Sequence, residues 1–219
     1  MHETIYLFDV DGTLTNTAHM WVQIYADCLR DLGITPPEDV REIAQYTHSF
    51  RAATGLGLPE AKLPQFGTIA IGYAQQHLHK APLHDQAFEL ISTLRSKGAK
   101  VGVVSSQGHD DIVRILKKHA VEVDCVVGHD DTKQHKPDPE GILLALKLLG
   151  ATPSKSHVYY GDKDTDVEAA HRAGIRGVHF FPPDHHSLYD LELMSIIPDE
   201  RITHWREVLD ALNQATPKA

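Results

Sequence analysis

Two short acidic runs in the sequence each follow an apolar segment. The first is DVDGT at residues 9–13, and the second is GDKDTD at residues 161–166. If the apolar segments are neighbouring parallel strands, the carboxylates at their ends enter one crevice. Two carboxylates about 4 Å apart repel by roughly 4 kcal/mol at an effective dielectric of about 20, and a divalent cation removes that cost. Because oxygen-only ligands favour Mg²⁺ over zinc, the sequence predicts a shared Mg²⁺ site.

For either run alone, an open alternative is that its aspartates only cap helices. Two further residues make capping insufficient as an explanation. Ser105 ends the apolar segment at 101–104, and Lys136 opens the segment KPDPE. A hydroxyl and an ammonium delivered beside a metal can hold the oxygens of a phosphoryl group. The combined pattern favours a site that handles phosphate.

The elements that must position these residues follow from the hydrophobic periodicity. Short β-branched runs alternate with helical patterns, which is typical of a parallel α/β sheet with crossover helices. We predict strands at 5–8, 100–105, 123–128, 158–161 and 177–181. We predict helices at about 85–97, 110–119, 139–149 and 164–173, and a loop after Pro182 and Pro183 that leads to a terminal helix near 204–212.

The stretch from Leu14 to Pro82 contains no predicted strand. Its apolar residues recur at helical spacing, as Trp21, Tyr25 and Leu29 do. We therefore predict a core domain formed by residues 1–14 and 83–219 and a helical domain formed by residues 15–82. Because ligands bind at the carboxyl edge of the sheet in open α/β folds, we expect an insertion after the first strand to lie over the site.

The ordered motifs resemble those of the haloacid dehalogenase (HAD) superfamily. The closest type is that of the phosphoglycolate phosphatases and β-phosphoglucomutases, which carry a helical cap after the first strand. The matching motifs are DVDGT at 9–13, Ser105 after an apolar strand, HKPDPE at 135–140 and GDKDTDVEAAHRAG at 161–174. The resemblance covers nearly the whole chain. It implies a Rossmann-like core with the strand order 5-4-1-2-3.

The resemblance also implies a role for each matching residue. Asp9 would be the nucleophile that forms an aspartyl-phosphate, and it would also bind Mg²⁺. Asp11 would protonate the leaving oxygen, then activate water, and would bind the metal through its backbone carbonyl. The other implied residues are Asp162 and Asp166 as metal ligands, Asp166 directly or through water, and Ser105, Lys136, Gly12, Thr13 and Ser106 around the phosphate.

The implied activity is a Mg²⁺-dependent phosphatase that hydrolyses a small phosphorylated metabolite, phosphoglycolate-like or a sugar phosphate. A β-phosphoglucomutase-like phosphotransferase is the alternative. The mutases resemble DGxxTDTAxxH, whereas this chain has DGTLTNTAHMW, with Asn16 and Trp21 at the Asp and His positions. These departures favour hydrolysis. Lys163 also stands where a small residue is common, and it brings a cation next to the predicted metal site.

Substrate choice is expected to reside in the helical cap. Tyr46, His48 and Arg51 lie there in a polar turn, and Arg51 could bind a second anionic group of the substrate. An equally open alternative is that these are exposed surface residues.

Two hypotheses from other classes use the same residue types. A signalling receiver domain also places an aspartate at a strand end and uses a hydroxyl and a lysine, but it retains its phosphate. Asp11, two residues after Asp9, favours turnover instead. A non-catalytic binding protein on the same fold is disfavoured because all five core groups are present: Asp9, Asp11, Ser105, Lys136 and Asp162.

The composition limits the partners. The chain has 21 Lys+Arg and 30 Asp+Glu, giving a formal net charge of −9, which argues against nucleic acid and anionic membranes as partners. No apolar run approaches the roughly 18 residues of a spanning helix, and no signal-peptide pattern is present.

The cysteine and histidine content indicates the compartment and the metal chemistry. The chain has two cysteines, Cys28 and Cys125, so we expect a reducing cytoplasm. The histidines show no zinc motif. We expect a cytoplasmic monomer or weak dimer.

Overall fold

The computed structural model of this protein describes residues 4–189 and 195–214. Within these residues, six parallel strands form one sheet in the order β3-β2-β1-β4-β5-β6. The strands are β1 Ile5–Phe8, β2 Lys100–Val104, β3 Cys125–Val127, β4 Val158–Gly161, β5 Arg176–Phe180 and β6 Glu200–Ile202. β1 therefore lies inside the sheet, between β2 and β4.

The predicted α/β class is confirmed, and the five predicted strands follow one another in the predicted order. The structure adds β6 beside β5, where the sequence analysis placed only a loop before the terminal helix. This strand was missed because Glu200 and Arg201 are exposed and only Ile202 is buried, so it carries no hydrophobic pattern.

Helices cover the sheet and build the inserted segment. Five of them belong to the sheet-containing part of the described chain: α4 Ala87–Ser96, α5 His109–Lys118, α6 Glu140–Leu148, α7 Asp164–Arg172 and α8 Trp205–Gln214. The inserted segment contributes α1 Ala18–Asp31, α2 Val40–Ala44 and α3 Leu63–His77, with short 3₁₀ turns between them. The helices adjoining the sheet begin and end within a few residues of the predicted positions.

Alternate residues of β1 enter the cores on the two faces of the sheet. Ile5 and Leu7 belong to one buried cluster, with residues of α6 and α7. Phe8 belongs to the other, with residues of α4, α5 and α8, and Tyr6 packs against it. This alternation is the two-residue period of a strand, and burial on both faces explains why β1 is apolar throughout.

An aromatic cluster fixes the C-terminal helix α8 to the sheet. The Trp205 ring stacks on Phe180 with centroids 4.2 Å apart, and it meets Tyr160 and Phe8 edge-on at 5.4 and 5.6 Å. Such pairs add about 0.5–1.5 kcal/mol each beyond the burial of their area. Because Phe180 ends β5, this packing holds α8 against the side of the sheet where β5 and β6 lie.

The described residues divide into two compact units. One comprises residues 4–15, 82–182 and 195–214 and contains the sheet, and the other comprises 16–81 and 183–189. The second unit has its own buried core, in which Tyr25, Leu29 and Phe66 are fully buried. Its Tyr25 and Phe66 rings meet edge-on at 5.0 Å. Among the helices of the described chain, none is long and apolar enough to cross a lipid bilayer.

Candidate active site

Three neighbouring strands deliver the predicted site residues to one edge of the sheet. Asp9 follows β1, and its backbone N–H donates to Tyr160 O of β4 at 2.9 Å. Ser105 follows β2, and Asp162 follows β4. Because the three strands are parallel and adjacent, their carboxyl ends meet at the same place. Asp9, Ser105 and Asp162 are all buried, at 5, 6 and 5% exposure.

The loop after β1 turns sharply at Gly12. Its φ of +76° lies in the left-handed region, and its N–H donates to Thr15 O at 2.9 Å. A Cβ atom at this position would lie 2.3 Å from Asp162 Oδ2. Only glycine therefore permits both this turn and the close approach of the Asp162 carboxylate. Thr13 is buried beside it and donates its hydroxyl to Asp162 Oδ1 at 3.4 Å.

Lys136 joins two of the carboxylates. Its Nζ lies 2.7 Å from Asp9 Oδ1 and 2.5 Å from Asp166 Oδ1. The side chains of Asp9, Asp166 and Lys136 are only 7, 1 and 10% exposed, so these ion pairs are screened little by solvent. Removing one partner of such a buried pair costs about 3–5 kcal/mol, because the other charge is left uncompensated.

Glu140 holds the loop that carries Lys136. Its two carboxylate oxygens accept hydrogen bonds from Lys133 N and Gln134 N at 3.2 and 2.8 Å. These backbone donors, Gln134 first, lower the pKa of Glu140. The segment HKPDPE therefore contributes two groups. Lys136 supplies the ammonium at the site, and the Glu140 carboxylate holds the loop that carries this lysine.

The carboxylates are not in an ordinary aspartate environment. Burial raises the pKa of Asp9 to about 6; Lys136 opposes this, while Asp166 and Asp11 add to it. Burial also raises the pKa of Asp162 well above its usual range, although the Lys163 charge lowers it. Burial lowers the pKa of Lys136, but Asp166 and Asp9 outweigh burial and hold it well above its usual value. The crevice therefore favours a bound cation.

Three of the carboxylates could hold a metal ion together. Asp9, Asp162 and Asp166 each offer an oxygen, and these oxygens lie within 4.8 Å of one another. Asp162 Oδ2 is buried and accepts no hydrogen bond within the described part of the chain. Both oxygens of Asp166 are already engaged, by Lys136 Nζ and by Lys163 N. An all-oxygen set with one unsatisfied buried carboxylate oxygen fits a hard divalent cation.

Asp11 is held by a residue that the sequence analysis did not select. Gln107 Nε2 donates to Asp11 Oδ2 at 2.6 Å, and Gln107 N donates to Ser105 Oγ at 3.3 Å. One residue in the loop after β2 thus connects the predicted general acid with the predicted phosphate-binding hydroxyl. A glutamine in a polar turn has no distinctive sequence signal, so only its position two residues after Ser105 could have indicated it.

Tyr159 is a second missed residue. Its hydroxyl donates to Val104 O at 2.8 Å and accepts from Lys136 Nζ at 3.0 Å. It is fully buried, which raises its pKa well above the usual value. Because it lies within the apolar strand β4, its sequence context indicates only a core residue. The hydroxyl gives Lys136 a third oxygen partner and so fixes the direction of the ammonium.

The remaining predicted residues occupy more open positions. Ser106 is exposed, next to buried Ser105. His48 and Arg51 belong to the second unit and are exposed; His48 Nδ1 lies 2.9 Å from Gln45 O, and Arg51 N donates to Ser49 Oγ at 3.2 Å. The capping alternative applies to neither Asp9 nor Asp162, but it does apply to Asp166, whose Oδ2 accepts from the N-cap N–H of Lys163 at 3.0 Å at the start of α7. Asp164 is the first residue of α7, and its Oδ2 accepts from Ser195 N and Oγ.

A family model for haloacid dehalogenase-like hydrolases matches residues 6–180. The chain therefore belongs to this family, and it is a hydrolase.

The relatives agree with this membership. The chain is 29% identical over 212 residues to the pyrophosphatase PpaX of Listeria innocua, covering 90% of this chain and 97% of that one. It matches the structure of a candidate haloacid dehalogenase-like hydrolase from Bacteroides fragilis with a TM-score of 0.81 and 25% identity, over 94 and 100% of the two chains. A candidate phosphoglycolate phosphatase from Lactobacillus plantarum has the same fold, with a TM-score of 0.80 and 21% identity over 96 and 99%. These findings confirm the resemblance drawn from the motifs.

Proposed function

We propose that this protein is a Mg²⁺-dependent phosphatase that hydrolyses a small phosphorylated metabolite through an aspartyl-phosphate on Asp9. The observation that carries the proposal is the position of Asp9 at the end of the internal strand β1, where Lys136 Nζ approaches its Oδ1 at 2.7 Å and carboxylate oxygens of Asp162 and Asp166 lie within 4.8 Å. The ammonium orients the Asp9 carboxylate and opposes the effect of burial on its pKa, and both effects favour a nucleophile.

Asp9, Asp162, Asp166 and the backbone carbonyl of Asp11 would hold the Mg²⁺. When bound, the ion neutralises the carboxylates and polarises the phosphoryl group. The unsatisfied Oδ2 supports Asp162 as a direct ligand. Because Lys136 and Lys163 N occupy both oxygens of Asp166, this carboxylate is better suited to orient Lys136 and to act on the metal through water.

The chain's own residues supply the rest of the reaction. An oxygen of Asp9 attacks phosphorus, and the P–O bond to the leaving group breaks. Asp11 gives its proton to the departing oxygen. Asp11 then takes a proton from water as that water attacks the aspartyl-phosphate, which releases phosphate and restores Asp9. Ser105 and Lys136 hold the non-bridging oxygens, with Gly12, Thr13 and Ser106 shaping the loop around them.

The substrate class is inferred from the chemistry of the site and of one relative. Because the Listeria relative is named a pyrophosphatase, inorganic pyrophosphate is a candidate alongside phosphoglycolate and sugar phosphates. Arg51 and His48 are proposed to recognise a second polar or anionic group of the substrate, on the basis of their side-chain chemistry.

The net charge of −9 argues against nucleic acid and anionic membranes as partners. The free cysteines Cys28 and Cys125 support the proposal of a cytoplasmic enzyme, and we propose a monomer or weak dimer.

The test is phosphate release from a panel of phosphorylated metabolites and pyrophosphate, with Mg²⁺ or EDTA. Wild type is compared with Asp9→Asn and with Asp210→Asn, an exposed aspartate of α8. We expect Mg²⁺-dependent release by wild type and Asp210→Asn, and loss of release in Asp9→Asn. Rapid-quench labelling should reveal an alkali-labile phosphoenzyme that decays within seconds. Equal release by wild type and Asp9→Asn would falsify the proposal, a long-lived phosphoenzyme would indicate a receiver, and an isomerised sugar phosphate would indicate a mutase.

A further inference from the structure

His179 lies on β5 and is buried, at 2% exposure, with both ring nitrogens in contact with polar atoms. Its Nε2 lies 3.0 Å from the backbone carbonyl oxygen of Asp162. Its Nδ1 accepts a hydrogen bond from Arg201 Nε at 3.1 Å. No step of the proposed reaction uses His179. Its contacts nevertheless connect the edge strand β6 with a proposed metal ligand.

These contacts determine which nitrogen of the ring carries the proton. The arginine Nε is a donor only, so Nδ1 of His179 must be the acceptor. A neutral imidazole has a single N–H, which is then on Nε2. The carbonyl oxygen of Asp162 can only accept, and it faces that N–H. The three groups are therefore consistent with one tautomer, the Nε2–H form.

The sheet register explains how this chain of contacts arises. Gly161 pairs with His179, and His179 pairs with Arg201, so the three residues are neighbours across β4, β5 and β6. Asp162 is the first residue beyond β4 and lies past the last residue pair of the β4–β5 ladder. A side chain from β5 thus holds the backbone at the point where the chain leaves the sheet toward the site.

The orientation of the Asp162 carboxylate depends on this part of the backbone. Its Oδ2 is buried without a hydrogen bond among the described residues, and Gly12 packs directly against it. Thr13 contacts Oδ1 only at 3.4 Å. Since the contacts to the Asp162 carboxylate are weak, its direction is set largely by the Asp162 backbone. The His179 ring holds this backbone through the carbonyl oxygen of Asp162.

We propose that His179 is a positioning residue for the metal ligand Asp162, and that Arg201 sets the tautomer in which it does so. The proposal rests on the proposed metal-dependent function. The Nε2–H bond fixes the peptide group after Asp162 and thereby directs its carboxylate toward Asp9 and Asp166. Hydrogen-bond partners of the metal-binding groups themselves typically contribute about 10- to 100-fold to metal affinity. Because His179 bonds the backbone of Asp162, we expect the lower end of this range.

The experiment compares direct Mn²⁺ binding, measured by electron paramagnetic resonance on substrate-free protein, in wild type and three variants. His179→Leu removes the hydrogen bond, and His179→Gln keeps an amide donor near the position of Nε2. The matched control is His157→Leu. His157 is also buried, accepts from Ile5 N at Nδ1 at 3.1 Å, and has Nε2 3.2 Å from Thr152 O, but it precedes β4 at the opposite end of that strand.

We expect Mn²⁺ affinity to fall about tenfold or more in His179→Leu and to stay within about threefold of wild type in His179→Gln and His157→Leu. Thermal unfolding should show similar losses of stability in the two leucine variants. If all variants bind Mn²⁺ as wild type does, His179 has no positioning role, while the proposed function stands. If wild type binds no Mn²⁺, the proposed function fails and this inference fails with it.

A second measurement needs no variant of His179. In ¹⁵N spectra of the wild-type protein, the His179 ring should have its proton on Nε2, and Arg201→Leu should shift it toward a mixture of tautomers. A proton on Nδ1 in wild type would overturn the proposal even if His179→Leu does not fold.

Discussion

The Lys136 ammonium lies 2.7 Å from Asp9 Oδ1, although the two residues are 127 positions apart in the sequence. The same nitrogen also contacts Asp166, so one cation balances two buried carboxylates. The proposed nucleophile is therefore held in place by a charge that can also contact the transferred phosphoryl group.

Replacing Lys136 by Met should destabilise the metal-free protein by about 3–5 kcal/mol, because Asp9 and Asp166 are left buried without their cation. Added Mg²⁺ should restore part of this loss. Urea denaturation with EDTA and with Mg²⁺ measures both effects. Lys117→Met, at an exposed position of α5, is the matched control and should change stability by less than about 0.5 kcal/mol. A loss below about 1 kcal/mol in Lys136→Met would contradict the ion-pair assignment.

Gly12→Ala should abolish metal binding and lower kcat/KM by about 100-fold or more, because the new Cβ would collide with Asp162 Oδ2. Gly33→Ala provides the control. Gly33 has a nearly equal φ of +74° but no atom within 4 Å of the added Cβ. Both variants carry the backbone strain of about 1–2 kcal/mol, and only Gly12→Ala changes the site. Equal activity of the two variants would show that the contact does not matter.

Mg²⁺ binding should depend on pH through Asp9. Burial, opposed by Lys136, raises the pKa of Asp9 to about 6 in the metal-free protein, so below this pH Mg²⁺ must displace a proton. Its association constant should fall by up to about tenfold per pH unit below 6, and the raised pKa of Asp162 adds to this pH dependence. The pKa of Asp9 is higher in the folded protein than in the unfolded chain. The contribution of Asp9 to the free energy of unfolding of the metal-free protein is therefore lost as pH rises from about 4 to about 6. Calorimetric Mg²⁺ titrations from pH 5 to 7.5 test the first effect, and a flat profile would refute it.

Gln107→Leu should slow the hydrolysis of those substrates whose leaving oxygen needs a proton from Asp11. The lost hydrogen bond to Asp11 Oδ2 should lower kcat/KM about tenfold for an alkyl phosphate, whose leaving oxygen must be protonated. p-Nitrophenyl phosphate leaves without that proton, so its turnover should fall less. Exposed Gln23 donates a similar amide to Asp27 of α1, so Gln23→Leu serves as the control and should affect the hydrolysis of neither substrate. An equal fall in kcat/KM for both substrates would show that Gln107 does not assist proton transfer from Asp11.

Much of the sheet could be predicted from the sequence because its inner strands are buried on both faces. β1 and β4 lie at Ile5–Phe8 and Val158–Gly161, as predicted from their apolar runs. β6 could not be predicted, because a three-residue edge strand with two exposed side chains has no periodicity to detect. It is ordered by pairing with β5, which is a tertiary effect.

The same distinction applies to the site. The candidate site residues Asp9 and Asp162 could be selected because acidic residues directly after apolar strands have no place in a core. Lys136 could be selected because it opens the segment KPDPE. Tyr159 and His179 could not, because each lies inside a buried strand and their polar partners are distant in sequence. The Tyr159 hydroxyl reaches Val104 O, 55 positions away, and His179 reaches Asp162 O, 17 positions away. Such partnerships follow from strand order and register, which local patterns do not specify.

The position of β1 inside the sheet has a consequence for protein synthesis. β1 is translated before both of its neighbours, and Ile5 N–H bonds to His157, 152 positions later. At about 5–20 residues per second, the ribosome needs about 8–30 seconds to complete that interval. β2 is complete at residue 104 and β4 only at residue 161, so until the end of this interval the apolar strand β1 has at least one unpaired edge in the nascent chain. Slow codons between β1 and β4 are therefore expected to lower the yield of folded enzyme without altering the activity of each finished molecule.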